Sequence, residues 1–455
     1  MTEQTVSLSR AFRTQVLRST NLVEARSFGF RLVNGTLWSA TGSVASHISS
    51  LLMGIVLARL LEAEGFGWFA LIQSTVLMLQ GFGALGMGVA ATSHIARTRH
   101  SDPGKAGRII SFSVLFTLLS GGIISMLILA TPIATIQSCL GTKESPIAAK
   151  LVGPLTLLAM INKIQADVMV GLEAFRQMAI VSMIRAGASI TLAAIGAYAF
   201  GPVGAVIGLG LAWLLSGLAS QIAISIICRA YRIGPVWRDA FGEYRLLKTS
   251  MLLAVSSLAL AMVNWIMNTL MARQDGGLME LAIFSAADRW RTAILFVPGL
   301  LAQVSLPMFA YTHARSEART CMRLLMTAGT MSLVSTAIWF ASITLVGPVM
   351  MATYGPSFVK GNKVLQILAI GCLPAGMNMV GAYFLWATGR AKTMLMVDLV
   401  RALVTLFYCL LQVPLSALDA ARGLSLGYAV STPLLICTIW PVVVPGKKEI
   451  LSDNR

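Results

Sequence analysis

Apolar residues run along this chain in long blocks. Twelve of them approach or exceed the roughly 20 helical residues needed to cross a hydrocarbon core: 34–58, 66–94, 109–131, 150–172, 179–200, 204–228, 249–271, 281–309, 324–350, 363–387, 393–416 and 424–445. The links between them are short and carry turn chemistry, as in Asp102-Pro103-Gly104, Gly201-Pro202, Gly276-Gly277, Gly355-Pro356 and Gly389-Arg390. The pattern predicts an all-α integral membrane protein with about twelve transmembrane helices.

The spans fall into two sets of six that repeat. Leu57-Ala58-Arg59 returns as Met271-Ala272-Arg273 after 214 positions, and Arg108 as Arg323 after 215. Pro132, Asn162, Arg176 and Arg185-Ala186 return as Pro348, Asn378, Lys392 and Arg401-Ala402 after 216, and Gly204/Gly208 as Gly423/Gly427 after 219. The shared order and the near-constant step carry more weight than any one match. An even number of spans per half gives a parallel repeat, two pseudo-symmetric six-helix lobes. Such halves place a substrate route at their mutual interface and give alternating access by rocking. The expected organisation is a basic cytoplasmic leader (1–33), an N-terminal lobe (34–235) and a C-terminal lobe with a short basic tail (236–455). The leader reads as a loosely ordered tail, with an interfacial helix as the alternative.

Composition agrees with a membrane solvent: 56% of the 455 residues are hydrophobic and 12% charged, against about 25% charged in soluble domains. The net charge of +17 would suggest nucleic acid in a soluble protein; its distribution points elsewhere. With the N-terminus in the cytoplasm, 23 of the 35 Lys and Arg fall on the cytoplasmic side, 7 on the outer side and 5 inside spans. That bias sets the topology, with both termini cytoplasmic. It assigns the charge to anionic phospholipid headgroups and leaves no role for nucleic acid. No outer loop exceeds about 20 residues, which leaves little room for the catalytic loop of a membrane polymerase or ligase. The six scattered Cys read as core fillers, and no cofactor or metal constellation is expected.

A charge at membrane depth costs about 3 kcal/mol and asks for a partner or a role. Lys163, Arg185, Arg289, Arg291 and Arg401 lie within spans, as do Asp167, Asp288 and Asp398. Lys163/Asp167, Asp288/Arg291 and Asp398/Arg401 are three or four apart and can neutralise one another on a helix face. Arg185 and Arg289 have no local acid. Arg185 and its repeat mate Arg401 are expected to face one interface as a positive wall, with Arg59 and Arg273 as a second pair at the outer mouth, where snorkelling to headgroups is the alternative. Arginine suits phosphate because its fork gives two parallel N–H bonds. Ser39, Thr41, Ser43, Ser46, His47, Ser49 and Ser50, with Asn264 and Asn268 in the equivalent seventh span, would offer neutral hydrogen bonds to sugar. Gly81–Gly88 follows no strand and precedes no Lys, so it reads as a packing or kink element and not a phosphate loop.

Several motifs together carry a resemblance. Leu57-Ala58-Arg59-Leu60-Leu61 with Glu64-Gly65-Phe66-Gly67, then Gly83-Ala84-Leu85-Gly86, resemble the opening of polysaccharide-biosynthesis membrane proteins. Phe284-Ser285-Ala286-Ala287-Asp288-Arg289 with Val297-Pro298 and Leu306-Pro307 is similar to their eighth helix, and Tyr354-Gly355-Pro356-Ser357-Phe358 to the turn before the tenth. Over residues 34–440 the chain resembles Wzx-type oligosaccharide repeat-unit flippases of the MOP superfamily. The resemblance implies two six-helix lobes around a central cavity, a bacterial inner membrane, and a polyprenyl-pyrophosphate-linked oligosaccharide as cargo. It allows contact with polysaccharide polymerase machinery. Arg59 and Arg289 lie in its motifs; Arg185, Arg401, Arg273, Arg291 and His47 join them by depth, with Asn264 and Asn268 as polar lining.

Two other functions compete. A cation-coupled drug exporter of the MATE type uses embedded carboxylates; the first two spans have none, while Asp167 and Asp398 keep it open. A membrane polymerase or ligase is disfavoured by the short outer loops.

Overall fold

The computed structural model describes residues 3–140, 146–234, 245–315 and 317–443. The described residues are helical nearly throughout. They form α1 (Glu3–Ala84), α2 (Met87–Thr98), α3 (Pro103–Ala130), α4 (Ile133–Leu140), α5 (Pro146–Gly171), α6 (Phe175–Ala230), α7 (Arg245–Ala272), α8 (Gly277–Ile294), α9 (Phe296–Ala314), α10 (Ala318–Ala352), α11 (Asn362–Ala387), α12 (Ala391–Leu411) and α13 (Ala417–Val443), with a 3-10 turn at Pro356–Gly361.

Eight helical stretches are long and apolar enough to cross a membrane, and α8 with α9, bent by 40°, make a ninth. Two of the eight are double. Thr41–Ala84 has 44 residues and Phe175–Ala230 has 56, and a single span needs only about 20. The first breaks at Glu62 (φ 59°), the second at Phe200-Gly201 (Gly201 φ 60°). With α5, another 26-residue helix, the described residues supply the twelve crossings read from the sequence. The second crossing has a further break, at Leu85 (φ 41°) and Gly86 (φ 70°), inside the glycine run expected to pack or kink. It does both: a Cβ on Gly83 would meet Met160 at 2.5 Å, and one on Gly88 would strike the Asp167 carboxylate. Helix α3 starts where Asp102 accepts from the Lys105 amide at 2.9 Å with Pro103 behind it, a side-chain cap on free N–H groups.

Helix α1 begins at Glu3, so the leader backbone is helical and continuous with the first crossing, unlike the loose tail expected. The expected lobe boundary at 235/236 lies outside the described residues.

The repeat has a physical counterpart. Asn162 on α5 donates to Trp213 O at 2.8 Å and accepts from Ser216 Oγ at 2.6 Å, tying the fourth crossing to the sixth. Asn378 on α11 donates to Thr432 Oγ1 at 2.8 Å and Ser431 Oγ at 3.1 Å, tying the tenth to the twelfth. Asn162/Asn378 and Ser216/Thr432 are both 216 positions apart. The same amide therefore clamps the same helix pair in each half. In lipid no water replaces a lost partner. Asn378→Ala should lower the stability of the purified protein by about 1–3 kcal/mol, read as a drop in its thermal unfolding midpoint in detergent or nanodiscs.

Candidate functional site

The links alternate between two faces of the bundle. Glu62, Gly201, Gly276, Tyr354 and the turn before Ala417 mark one face. The N-terminal end of α1, Asp102, Glu173, Arg315 and Gly389 mark the other. A cavity of about 960 Å³ occupies the half nearer the N-terminal face, lined from Ser43 and His47 on α1 to Trp386 and Ala391 beside Gly389. This is the upper end of the range for small-molecule sites. Helices α7, α8, α9, α11, α12 and α13 supply nearly all its walls; the first half adds only Ser43, His47 and Val89.

The charged side chains on the cavity wall are Arg291, Asp398 and Arg401. Each arginine holds an aspartate one turn before it: Arg291 Nε to Asp288 Oδ1 at 2.5 Å, and Arg401 to Asp398 Oδ1 at 2.7 Å. Asp398 is buried and also accepts from Ser256 Oγ on α7. The Arg401 guanidinium lies 4.8 Å from the Tyr428 ring centre, a cation–π seat. Its Nε–H is buried with no partner among the described residues. The Ser43, Ser256, Ser257, Gln303 and Asn378 side chains add neutral polarity. The His47 ring stands edge-on to Phe296 at 5.1 Å.

The opposite half is sealed, and the seal joins first-half helices to second-half helices. Gly67 lets α1 meet the start of α8 so closely that a Cβ there would lie 1.9 Å from Leu278 O. Phe66 packs at 6.0–6.3 Å against Tyr354 and Phe358, and Trp265 Nε1 donates to Thr75 Oγ1 at 3.1 Å. Three arginines cross the seam. Arg289 donates to Ser50 O at 2.7 Å, to Ser50 Oγ at 3.1 Å and to Gln73 Oε1 at 3.1 Å, with its guanidinium 5.7 Å from the Phe66 ring centre. Arg59 donates to Thr353 O at 2.7 Å and Arg273 to Ser138 O at 3.1 Å. These last two contacts are reciprocal: Arg273 is 214 positions after Arg59, and Thr353 is 215 after Ser138. Each half thus grips the other through the same residue.

The nine residues singled out in the sequence therefore divide. Arg291, Arg401 and His47 line the cavity. Arg59, Arg273 and Arg289 form the seam. Arg185 sits half-buried on α6, next to the Ala186 carbonyl that Ser49 of α1 grips at 3.0 Å. It does not share a wall with Arg401 in this structure. Asn264 turns its amide back to Leu260 O at 3.0 Å, and Asn268 keeps a buried Oδ1 without a partner among the described residues. All three local acid–base pairs read from spacing are formed, Lys163–Asp167 at 2.5 Å included. The sequence reading missed Ser256, Gln303, Tyr383 and Tyr428 on the wall, and Gln73 in the seam. The repeat signal had already singled out Asn378.

Residues 32–313 match the family described as Polysaccharide biosynthesis protein. The chain belongs to that family. A relative in the bacterium Ralstonia nicotianae, the EPS I polysaccharide export inner membrane protein EpsE, is 25% identical over 355 residues, covering 76% of this chain and 79% of that one. The fold is that of the MOP superfamily. The inward-facing conformation of a multidrug resistance MATE family transporter superposes with a TM-score of 0.74 at 17% identity, over 88% of this chain and 94% of that one. The outward-facing conformation of a MATE family transporter gives 0.68 at 17%, over 91% and 95%. A Pyrococcus furiosus transporter of the superfamily gives 0.66 at 17%, over 90% and 96%. The family match and the fold, one shared with solved membrane transporters, agree on an integral membrane protein of polysaccharide biosynthesis.

The seam leaves no room for a side chain at Gly67, and the atom in the way is backbone. Gly67→Ala is expected to prise the two halves apart there. Maleimide labelling of a cysteine placed at buried Tyr354 should rise several-fold over the same cysteine with Gly67 intact; unchanged labelling would show that the contact is not tight.

Proposed function

We propose that this family member moves a polyprenyl-pyrophosphate-linked oligosaccharide from the cytoplasmic to the outer leaflet of a bacterial inner membrane by alternating access. The single observation that carries the reading is the cavity wall, where the Arg291 and Arg401 guanidinium groups stand, each held by an aspartate of its own helix. The guanidinium N–H groups that the paired aspartates leave unused can donate to an anion. A diphosphate can take terminal N–H groups of Arg291 and Arg401 that the two aspartates leave open. Hydroxyl and amide groups on the same wall suit sugar. The polyprenyl chain would stay in the bilayer while the head crosses through water, since stripping a diphosphate of its hydration without replacement is prohibitive.

The excess of basic residues around the N-terminal face supports placing that face in the cytoplasm, against anionic headgroups. On that orientation the cavity faces inward and the seam closes the outer side. The lobes move as two bodies, 34–235 and 236–455, and the outer opening delivers cargo to whatever polymerising machinery consumes it. The export relative in Ralstonia agrees with this cargo class. The drug-exporter reading finds less support, because the cavity carboxylate is engaged by an arginine.

Purified protein in liposomes should carry a short-chain polyprenyl-diphosphate sugar across the bilayer and leave cationic dyes where they are. Dye movement without lipid movement would overturn the reading. Arg291→Gln and Arg401→Gln should each slow lipid transfer about 10- to 100-fold at equal protein abundance, from the loss of charge-assisted bonds worth about 1.5–3 kcal/mol. Lysine at either position should retain part of the rate, because it keeps the charge and loses the fork.

A further inference from the structure

The two groups of arginines differ in what they hold. The cavity pair holds carboxylates. The hydrogen-bond partners of Arg289 and Arg59 are neutral: the Ser50 carbonyl and hydroxyl, the Gln73 amide and the Thr353 carbonyl. A neutral oxygen is a weaker partner for a guanidinium than an anion is, so an arriving anion can outcompete these contacts.

Arg289 lies where the cavity ends. On α8 Thr292 lines the cavity, and Arg289 stands one turn beyond it at the i, i+3 spacing that keeps residues on one face. On the facing helix Ser43 and His47 line the cavity, and Ser50, which Arg289 grips, continues the stripe at i, i+4, i+7. Gly54, one further turn along, leaves the slot in which the Arg289 side chain lies, since a Cβ there would come 2.6 Å from its Cδ. The guanidinium is thus the inner end of the seam, one helical turn beyond the cavity lining on both facing helices.

From this geometry we infer that Arg289 is an anion-operated catch: a diphosphate rising along the cavity takes its guanidinium from Ser50 and Gln73 and so releases the seam. A ligand shifts a conformational equilibrium only by binding one state better than the other. In the sealed state the Arg289 fork is occupied by protein; once the halves separate, it is free to bind the anion with two bonds. The cargo itself therefore drives opening. Without it the catch re-engages, which limits empty opening to the far side. Arg59 and Arg273 then lose their reciprocal carbonyls in the same movement, and the parting mouth carries positive charge that retains the diphosphate until release. No bond is made or broken, and no second ion is required.

The inference rests on an anionic cargo, as proposed above, and its test can fail separately. Spin labels on exposed Glu64→Cys and Lys360→Cys, in the full chain with native cysteines replaced, report the distance across the seam in nanodiscs. Inorganic pyrophosphate should raise the open fraction of the otherwise unaltered protein at least about fivefold, within the usual range for coupled sites. Arg289→Gln should be more open without ligand and lose the response. Ser50→Ala combined with Gln73→Leu keeps the arginine and removes its side-chain acceptors, so pyrophosphate should open it at lower concentration. A seam that ignores pyrophosphate, or an Arg289→Gln protein that responds in full, overturns the catch. Seam opening in a protein that moves no polyprenyl diphosphate keeps the catch and removes the flippase reading.

Discussion

The structure is organised around one constraint: a guanidinium at membrane depth must have partners, because lipid supplies none. Arg289, Arg291 and Arg401 meet that need in two different ways, and Arg59 and Arg273 repeat the second at exposed positions near helix ends. Arg291 and Arg401 bind carboxylates one turn away on their own helices. Those pairs are complete within the second half and do not depend on where the first half sits. Arg59, Arg273 and Arg289 bind oxygens of the opposite half. Those oxygens lie across the seam. On the proposed alternating access, closing that side and satisfying Arg289 are the same event.

This division also separates what the sequence reveals from what it conceals. The twelve crossings were legible because a hydrocarbon core demands a fixed length of apolar helix. The local ion pairs were legible because a helix brings residues three and four apart onto one face. The repeat was legible through Asn162 and Asn378, which perform the same clamping task in each half and so cannot drift in position relative to their partners. The glycine run at 81–88 announced a departure from ordinary helix, and the chain breaks at Leu85-Gly86.

Contacts between the halves were not legible, for a physical reason. The acceptors of the seam arginines are mostly backbone carbonyls, and every residue has one. Nothing in Thr353 or Ser138 as side chains marks them as partners of Arg59 or Arg273. Gln73 is a lone polar residue in an apolar span and was a recoverable signal, since an amide at that depth needs a partner for the reason an arginine does. Depth alone grouped Arg185 with Arg401, but their helices turn them differently: Arg401 lies on the cavity wall, and Arg185 lies beside the α1–α6 contact. Sequence position fixes how deep a residue sits far better than which way it faces.

The placement of the rigid contacts suits the proposed change of state, because it leaves the fold of each half intact. The Asn162 and Asn378 clamps lie within halves, and so do the acid-paired arginines. The contacts between halves are of the kind that separate cleanly: hydrogen bonds to neutral oxygens, aromatic edges around Phe66, and a glycine against a carbonyl at Gly67. A Val or Leu interlocked at that crossing would resist separation through shape alone. A glycine facing backbone offers close approach with nothing to disengage. Strong bonds inside each body and exchangeable ones between them are what the proposed rocking of two halves requires; the repeat supplies the amide clamp and the arginine–carbonyl grip to both halves, and the acid-paired cavity arginines belong to the second.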